Sequence, residues 1–123
     1  MAILKAFKGL RPPVEIVKQL ASRPYDVLNS DEARMEAKGN PYSLLRVTKA
    51  EIDLPQDVDV HSKEVYDKVV ENFATFRKND WLVQDNEEML YIYAQTMDGR
   101  TQYGIVGCTS IEDYFENRIK KHE

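Results

Sequence analysis

Apolar residues recur at helical spacing most clearly after His61 and Ser62. Val65, Tyr66, Val69, Val70, Phe73 and Phe76 fall on one stripe, and Lys63, Glu64, Asp67, Lys68, Glu71 and Lys78 lie largely outside it. This predicts a core-facing helix, capped by Ser62 or His61 and running to about Asn79. A second helix is expected behind Asn29 or Ser30, with Asp31 and Glu32 in its first turn offsetting the helix dipole and Gly39-Asn40-Pro41 stopping it. A third follows Pro12 and Pro13, where Val14, Val17, Leu20 and Ala21 keep helical spacing through Ser22.

Strand patterns occupy other stretches. Ile3 to Phe7 alternates up to Gly9, Tyr42 to Thr48 is aromatic and β-branched, and Trp81 to Val83 is a short apolar run. Met89–Met97 and Arg100–Thr109 flank Asp98-Gly99, a pair suited to a type I′ turn because both central residues need positive φ. Pairing Met97 with Arg100 then sets Ala94 opposite Tyr103 and Ile92 opposite Ile105. One face carries Leu90, Ile92, Ala94, Tyr103 and Ile105, and the other carries Tyr91, Tyr93, Gln95, Gln102 and Val106. Gly104 and Gly107 suggest a bulge or a close backbone approach. Glu51 to His61, acidic and broken by Pro55, reads as an exposed connection.

After Thr109 or Ser110 a last helix opens, with Ile111, Tyr114, Phe115 and Ile119 on its apolar stripe. No stop is read before Glu123, so the chain is expected to be a single N-terminal domain, 1–123, cut from a longer protein. The element order β, α, α, β, α, β, β, β, α implies an α+β fold. Its sheet is expected to be mostly antiparallel with helices packed on one face, and to include a C-terminal β-hairpin followed by a helix.

Composition narrows the function classes. The chain has 123 residues, 42% hydrophobic and 31% charged, which suits one soluble domain with a real core. A net charge of −4 argues against a nucleic-acid coat. No apolar run is long enough for a membrane span and no secretory leader is present, so a cytoplasmic location is expected. The single cysteine, Cys108, reads as a buried strand thiol.

Glycine-rich phosphate loops, zinc spacings and nucleophile elbows are absent, and His61 and His122 lie far apart, so no metal site is expected. Three constellations remain. Arg11 stands at a helix entry where an anion could be held, or it bonds a nearby carbonyl as a surface arginine. Tyr25-Asp26 lies in a Pro-fixed loop that would hold a carboxylate rigidly as a general base or metal contact, although Asp also caps turns. The turn bearing Asn40, Tyr42 and Ser43 offers amide, phenol and hydroxyl groups in the same way. The third is Lys120, Lys121, His122 and Glu123, which flank the last apolar stripe.

The chain carries, in this order, Phe7-Lys8-Gly9-Leu10-Arg11-Pro12, Pro24-Tyr25-Asp26-Val27, Glu32-Ala33-Arg34, Gly39-Asn40-Pro41-Tyr42-Ser43, Glu51-Ile52-Asp53-Leu54-Pro55, Tyr91-Ile92-Tyr93, Gln95 through Arg100 and Ile119 through Glu123. Together these blocks resemble the N-terminal part of the domain-of-unknown-function family 1015. Arg23 departs from the second proline or small residue expected before Pro24. The resemblance implies a longer cytoplasmic protein carrying downstream an Asp-Gly-His-His-Arg type motif, similar to that of free serine kinases of the ParB and sulfiredoxin-like superfamily. By that analogy the whole protein would use a nucleotide with magnesium to phosphorylate a small serine-like hydroxyl compound. Asp26, His122 and Glu123 would be its catalytic groups. Arg11, Tyr25, Asn40, Tyr42, Ser43 and Lys120 would be its substrate or anion contacts, and the fragment alone would be inactive. The alternative is a noncatalytic assembly module that docks on the missing C-terminal part, another domain, or a second copy in a homo-oligomer. The acidic balance sets aside a nucleic-acid reader.

Overall fold

The computed structural model describes residues 1–122. The fold is α+β, and the chain divides into two compact units: Leu10–Val83, which holds most of the helix, and Met1–Gly9 with Gln84 onward, which holds a hairpin.

In the helical unit the elements are β1 (Leu10–Arg11), α1 (Val17–Leu20), α2 (Ser30–Ala37), α3 (Leu45–Thr48) and α4 (Lys63–Lys78); β2 (Val83–Gln84) lies where the chain passes from this unit to the next. The capping box at α2 is formed in both directions. Glu32 N donates to Asn29 Oδ1 at 2.9 Å and Asn29 N donates to Glu32 Oε2 at 3.0 Å. Gly39, at φ 73°, supplies the left-handed turn that ends this helix. The first helix is shorter than expected, because Val14 to Ile16 form only a turn before α1.

Two apolar clusters make the core. Leu28, Ala33, Ala37 and Leu45 form one, with Ile52 against it; Leu20, Phe76 and Leu82 form the other, with Leu10, Ile16, Leu44, Val47 and Trp81 around them. These clusters explain the largest correction. Tyr42 to Thr48 is not a strand but a turn followed by α3. In a helical turn the neighbours Leu44 and Leu45 point about 100° apart, so each reaches a different cluster, and this packing overrides β propensity. The expected exposed connection also begins differently, as a 3₁₀ turn over Ala50–Asp53 in which Ala50 and Glu51 are buried. On α4 the buried stripe is narrower than the periodicity suggests. Val65 and Phe76 are buried, whereas Tyr66 and Val70 are exposed. Ser62 takes the N-cap position of α4, but its buried hydroxyl has no hydrogen-bond partner.

The strand unit is built on β3 (Tyr91–Met97) and β4 (Arg100–Val106), antiparallel in the expected register, with Ala94 opposite Tyr103 and Ile92 opposite Ile105. Asp98 and Gly99 have φ values of 51° and 76°, the positive pair that a type I′ turn requires. The register runs without a bulge. A Cβ on Gly104 would meet open space, while one on Gly107 would meet the Leu4 and Leu90 side chains. Ile3 to Phe7 does not form a continuous strand. Lys5 bridges Cys108 and Phe7 bridges Met89, so the segment ties together the two ends of the hairpin.

The last helix, α5 (Ile111–Phe115), is terminated within the described residues. Asn117 lies at φ 57°, its N–H donates to Tyr114 O at 3.3 Å, and Arg118 N donates to Asp113 O at 2.9 Å. That is a Schellman stop with asparagine in the left-handed position. The expected stripe through Ile119 is therefore broken, and Ile111 and Phe115 are exposed while Asp113 is buried. Cys108 is exposed, contrary to the buried thiol expected. Among the described residues all nine buried hydrophobic side chains lie between Leu20 and Leu82, so the apolar core belongs to the helical unit.

Candidate functional site

Two hollows in the helical unit differ in what their polar groups are free to do. One, of about 460 Å³, is lined by Pro41, Arg46, Asn72, Phe76 and Trp81. Its polar groups are committed to the fold. Arg46 Nε donates to Asn40 O at 3.0 Å, Nη2 donates to Ala37 O at 2.8 Å, and Nη1 pairs with Asp53. Asn72 Nδ2 donates to Arg46 O at 2.7 Å and to Asp53 Oδ2 at 2.9 Å.

The other, of about 470 Å³, gathers Tyr25, Ser30, Lys49, Glu51, His61 and Tyr66, with valines of α4 completing the wall. This volume is in the range of small-molecule sites, and an apolar lining with a few convergent polar groups is their usual composition. The Glu51 side chain is 7% exposed and that of Lys49 16%. Ser30 Oγ donates to Glu51 Oε1 at 2.9 Å, and Lys49 Nζ lies 3.3 Å from the same oxygen. The backbone that carries Glu51 is held by Arg34 of α2, whose Nη2 donates to Glu51 O at 2.9 Å and to Leu54 O at 3.3 Å. The carboxylate is thus held by Ser30 at the start of α2 and by Lys49, the residue after α3, so that a hydroxyl and a cation stand beside it. Such a group can orient a hydroxyl and take its proton, and the lysine can balance developing negative charge.

The residues chosen from sequence are distributed differently. Tyr25 lines this pocket, whereas Asp26, next to it on a 3₁₀ turn, is exposed and outside the lining. Asn40, Tyr42 and Ser43 do share one turn, but they serve it structurally. Asn40 Nδ2 donates to Gln19 O at 2.7 Å, its Oδ1 accepts from Tyr42 N at 3.1 Å, and Ser43 Oγ accepts from Leu45 N at 3.4 Å. The Tyr42 ring meets Trp81 edge-on at 4.9 Å. Arg11 is exposed on β1. Lys120 and His122 are exposed beyond α5 in the strand unit, and Glu123 lies outside the described residues. Sequence reasoning passed over Ser30, Lys49, Glu51, His61 and Tyr66 as site residues. Glu51 looked like the start of an exposed, acidic connection, and the one available signal was that it opens one of the blocks shared with the family.

Residues 4–123 match the sequence model of one family, described as "Protein of unknown function (DUF1015)". The chain belongs to the DUF1015 family. No match was found among curated proteins or among solved structures. DUF1015 membership agrees with the blocks read from the sequence, and Glu51 and Tyr25 of the pocket both fall inside them. Among the described residues no helix is long and apolar enough to cross a membrane, and no group of three or more His, Cys, Asp or Glu side chains could hold a metal ion.

Proposed function

We propose that this chain binds a small hydroxyl-bearing molecule in the Glu51 pocket and that the reaction it serves is phosphoryl transfer to that hydroxyl. The observation that carries the reading is the buried Glu51 carboxylate, held between Ser30 Oγ and Lys49 Nζ on the pocket lining. Phosphoryl transfer asks little covalent chemistry of the protein. It needs an acceptor hydroxyl oriented by a group that takes its proton, and nearby positive charge. Glu51 and Lys49 have those two properties, and the phenols of Tyr25 and Tyr66 with the His61 imidazole offer further contacts to a polar acceptor.

The pocket does not fit a nucleotide triphosphate. Lys49 is the one lysine or arginine on its lining, a single positive charge against the several negative charges of a triphosphate. No step is therefore assigned to a nucleotide or to magnesium, and the expected donor belongs elsewhere in the protein. By the resemblance the compound is serine-like and the activity cytoplasmic. A binding or assembly role without chemistry is favoured by a separate observation, the exposed apolar face of the hairpin.

Amide shifts of the labelled chain, followed by NMR during titration with serine and related hydroxyl compounds at millimolar concentration, test the reading. Shifts centred on Ser30, Lys49, Glu51 and His61, weakened at least tenfold in Glu51→Gln, are expected. Titrations that leave those amides unmoved with every hydroxyl compound tried would overturn it.

A further inference from the structure

The hairpin leaves a contiguous apolar face exposed to water. Ile92 is 78% exposed, Tyr103 75% and Ile105 68%. Because the Cβ position of Gly107 points at the Leu4 and Leu90 side chains, these two belong to the same face, and they are about half exposed. A lone hairpin is marginal in water, and none of the buried hydrophobic residues comes from this unit. We propose that this face is covered by the same face of a second copy of the chain, in a two-fold dimer whose axis runs along the hairpin.

Three observations favour a second copy over an unrelated partner. First, the face is self-complementary in shape. Ala94 stands directly opposite Tyr103, so the smallest and the largest side chains are neighbours on one level of the ribbon. An axis along the strands lays β3 of one copy over β4 of the other. Tyr103 then enters the hollow beside the partner's Ala94, and Ile92 meets the partner's Ile105. An aromatic anchor in a pocket at the centre of a patch is the usual form of an interface hot spot.

Second, charge does not oppose the contact. Within β3, β4 and their turn the charged side chains are Asp98 and Arg100, of opposite sign and at the tip, so copies meet without like-charge repulsion. The rim on this face is Thr96 and Thr101, whose hydroxyls are 2.8 Å apart. Third, the area suffices. The five large side chains average about two-thirds exposure, roughly 500 Å² per copy and about 1,000 Å² for the pair, near the lower bound of a specific interface. An interface of this area falls in the weak, reversible class.

Sedimentation velocity of the chain from about 1 to 200 μM tests this. The unmodified chain should shift from monomer to dimer across that range. Ala94→Arg, which fills the hollow with a charge, should weaken dimerisation at least tenfold, while Gln102→Arg on the opposite face should leave it unchanged. A chain that stays monomeric at 200 μM overturns the proposal and assigns the face to another domain or protein. A dimer insensitive to Ala94→Arg overturns it equally.

Discussion

Replacing Arg46 with alanine should open the helical unit, because this one side chain ties three segments together. Its guanidinium donates to the carbonyls of Ala37 and Asn40 at 2.8 and 3.0 Å and pairs with Asp53. The Arg46 and Asp53 side chains are 22% and 20% exposed, so the pair is mostly buried yet still touched by solvent. Removing the arginine leaves two carbonyls without their charged donor, at about 1 kcal/mol each. Asp53 loses its cation while keeping the 2.9 Å bond from Asn72, which limits that part to a further 1–2 kcal/mol, roughly, below the figure for a fully buried pair. The expected loss is about 3 kcal/mol. Trp81, the single tryptophan, packs on Phe76 at 5.1 Å between ring centroids, so its fluorescence reports this unit. With a urea slope of roughly 1 kcal/mol per molar for a unit of this size, the midpoint should fall by about 3 M. Arg46→Lys keeps a cation for Asp53 but loses the forked contacts to both carbonyls, and should fall between the two. A loss below about 1 kcal/mol in Arg46→Ala would refute the reasoning, since it would mean that the carbonyls and Asp53 find water or other donors at no cost.

The strand unit has its own weak point in Gly9. A Cβ there would stand 2.7 Å from Tyr91 Oη, so Gly9→Ala must displace the phenol that accepts from Gly9 N at 2.7 Å and donates to Asp85 Oδ2 at 2.6 Å. About 2 kcal/mol of local stability should be lost, read as faster hydrogen exchange at Phe7, Asp85 and Met89, and unchanged exchange there would count against the close approach. On the helical unit, Arg23 bonds Glu36 Oε2 at 2.8 and 2.6 Å and holds that carboxyl below the usual range. The folded value lies below the unfolded one, so the contribution is present above the unfolded value and is lost as pH falls through the folded value. An NMR titration of the Glu36 carboxyl should show it returning to the ordinary range in Arg23→Ala, and an identical titration in both chains would exclude the pair.

Legibility followed the range of the interactions involved. The Asn29–Glu32 box, the long helix after Ser62 and the hairpin register could be read because each is set within a few residues, by a cap, a period or a two-residue turn. The end of the last helix was also written locally, in Asn117, but asparagine in the left-handed position is a weaker signal than glycine and was passed over. Tyr42 to Thr48 was misread because its β-branched and aromatic content says strand, and only the two apolar clusters on either side of Leu44 and Leu45 make a helical turn the better arrangement.

The candidate site was almost wholly hidden, for a related reason. Glu51 looks like any other acidic residue in an acidic stretch until Arg34 draws its backbone inward and Ser30 and Lys49 meet its carboxylate. Family membership, the α+β class and the apolar face of the hairpin were determined by order, period and turn chemistry along the chain. Which carboxylate is buried, which arginine joins three segments and which turn is helical were decided by tertiary structure alone. Ser30 and Arg34 reach Glu51 from 21 and 17 residues away, and Arg46 reaches Ala37, Asn40 and Asp53 from nine, six and seven, separations that no helical or strand period encodes.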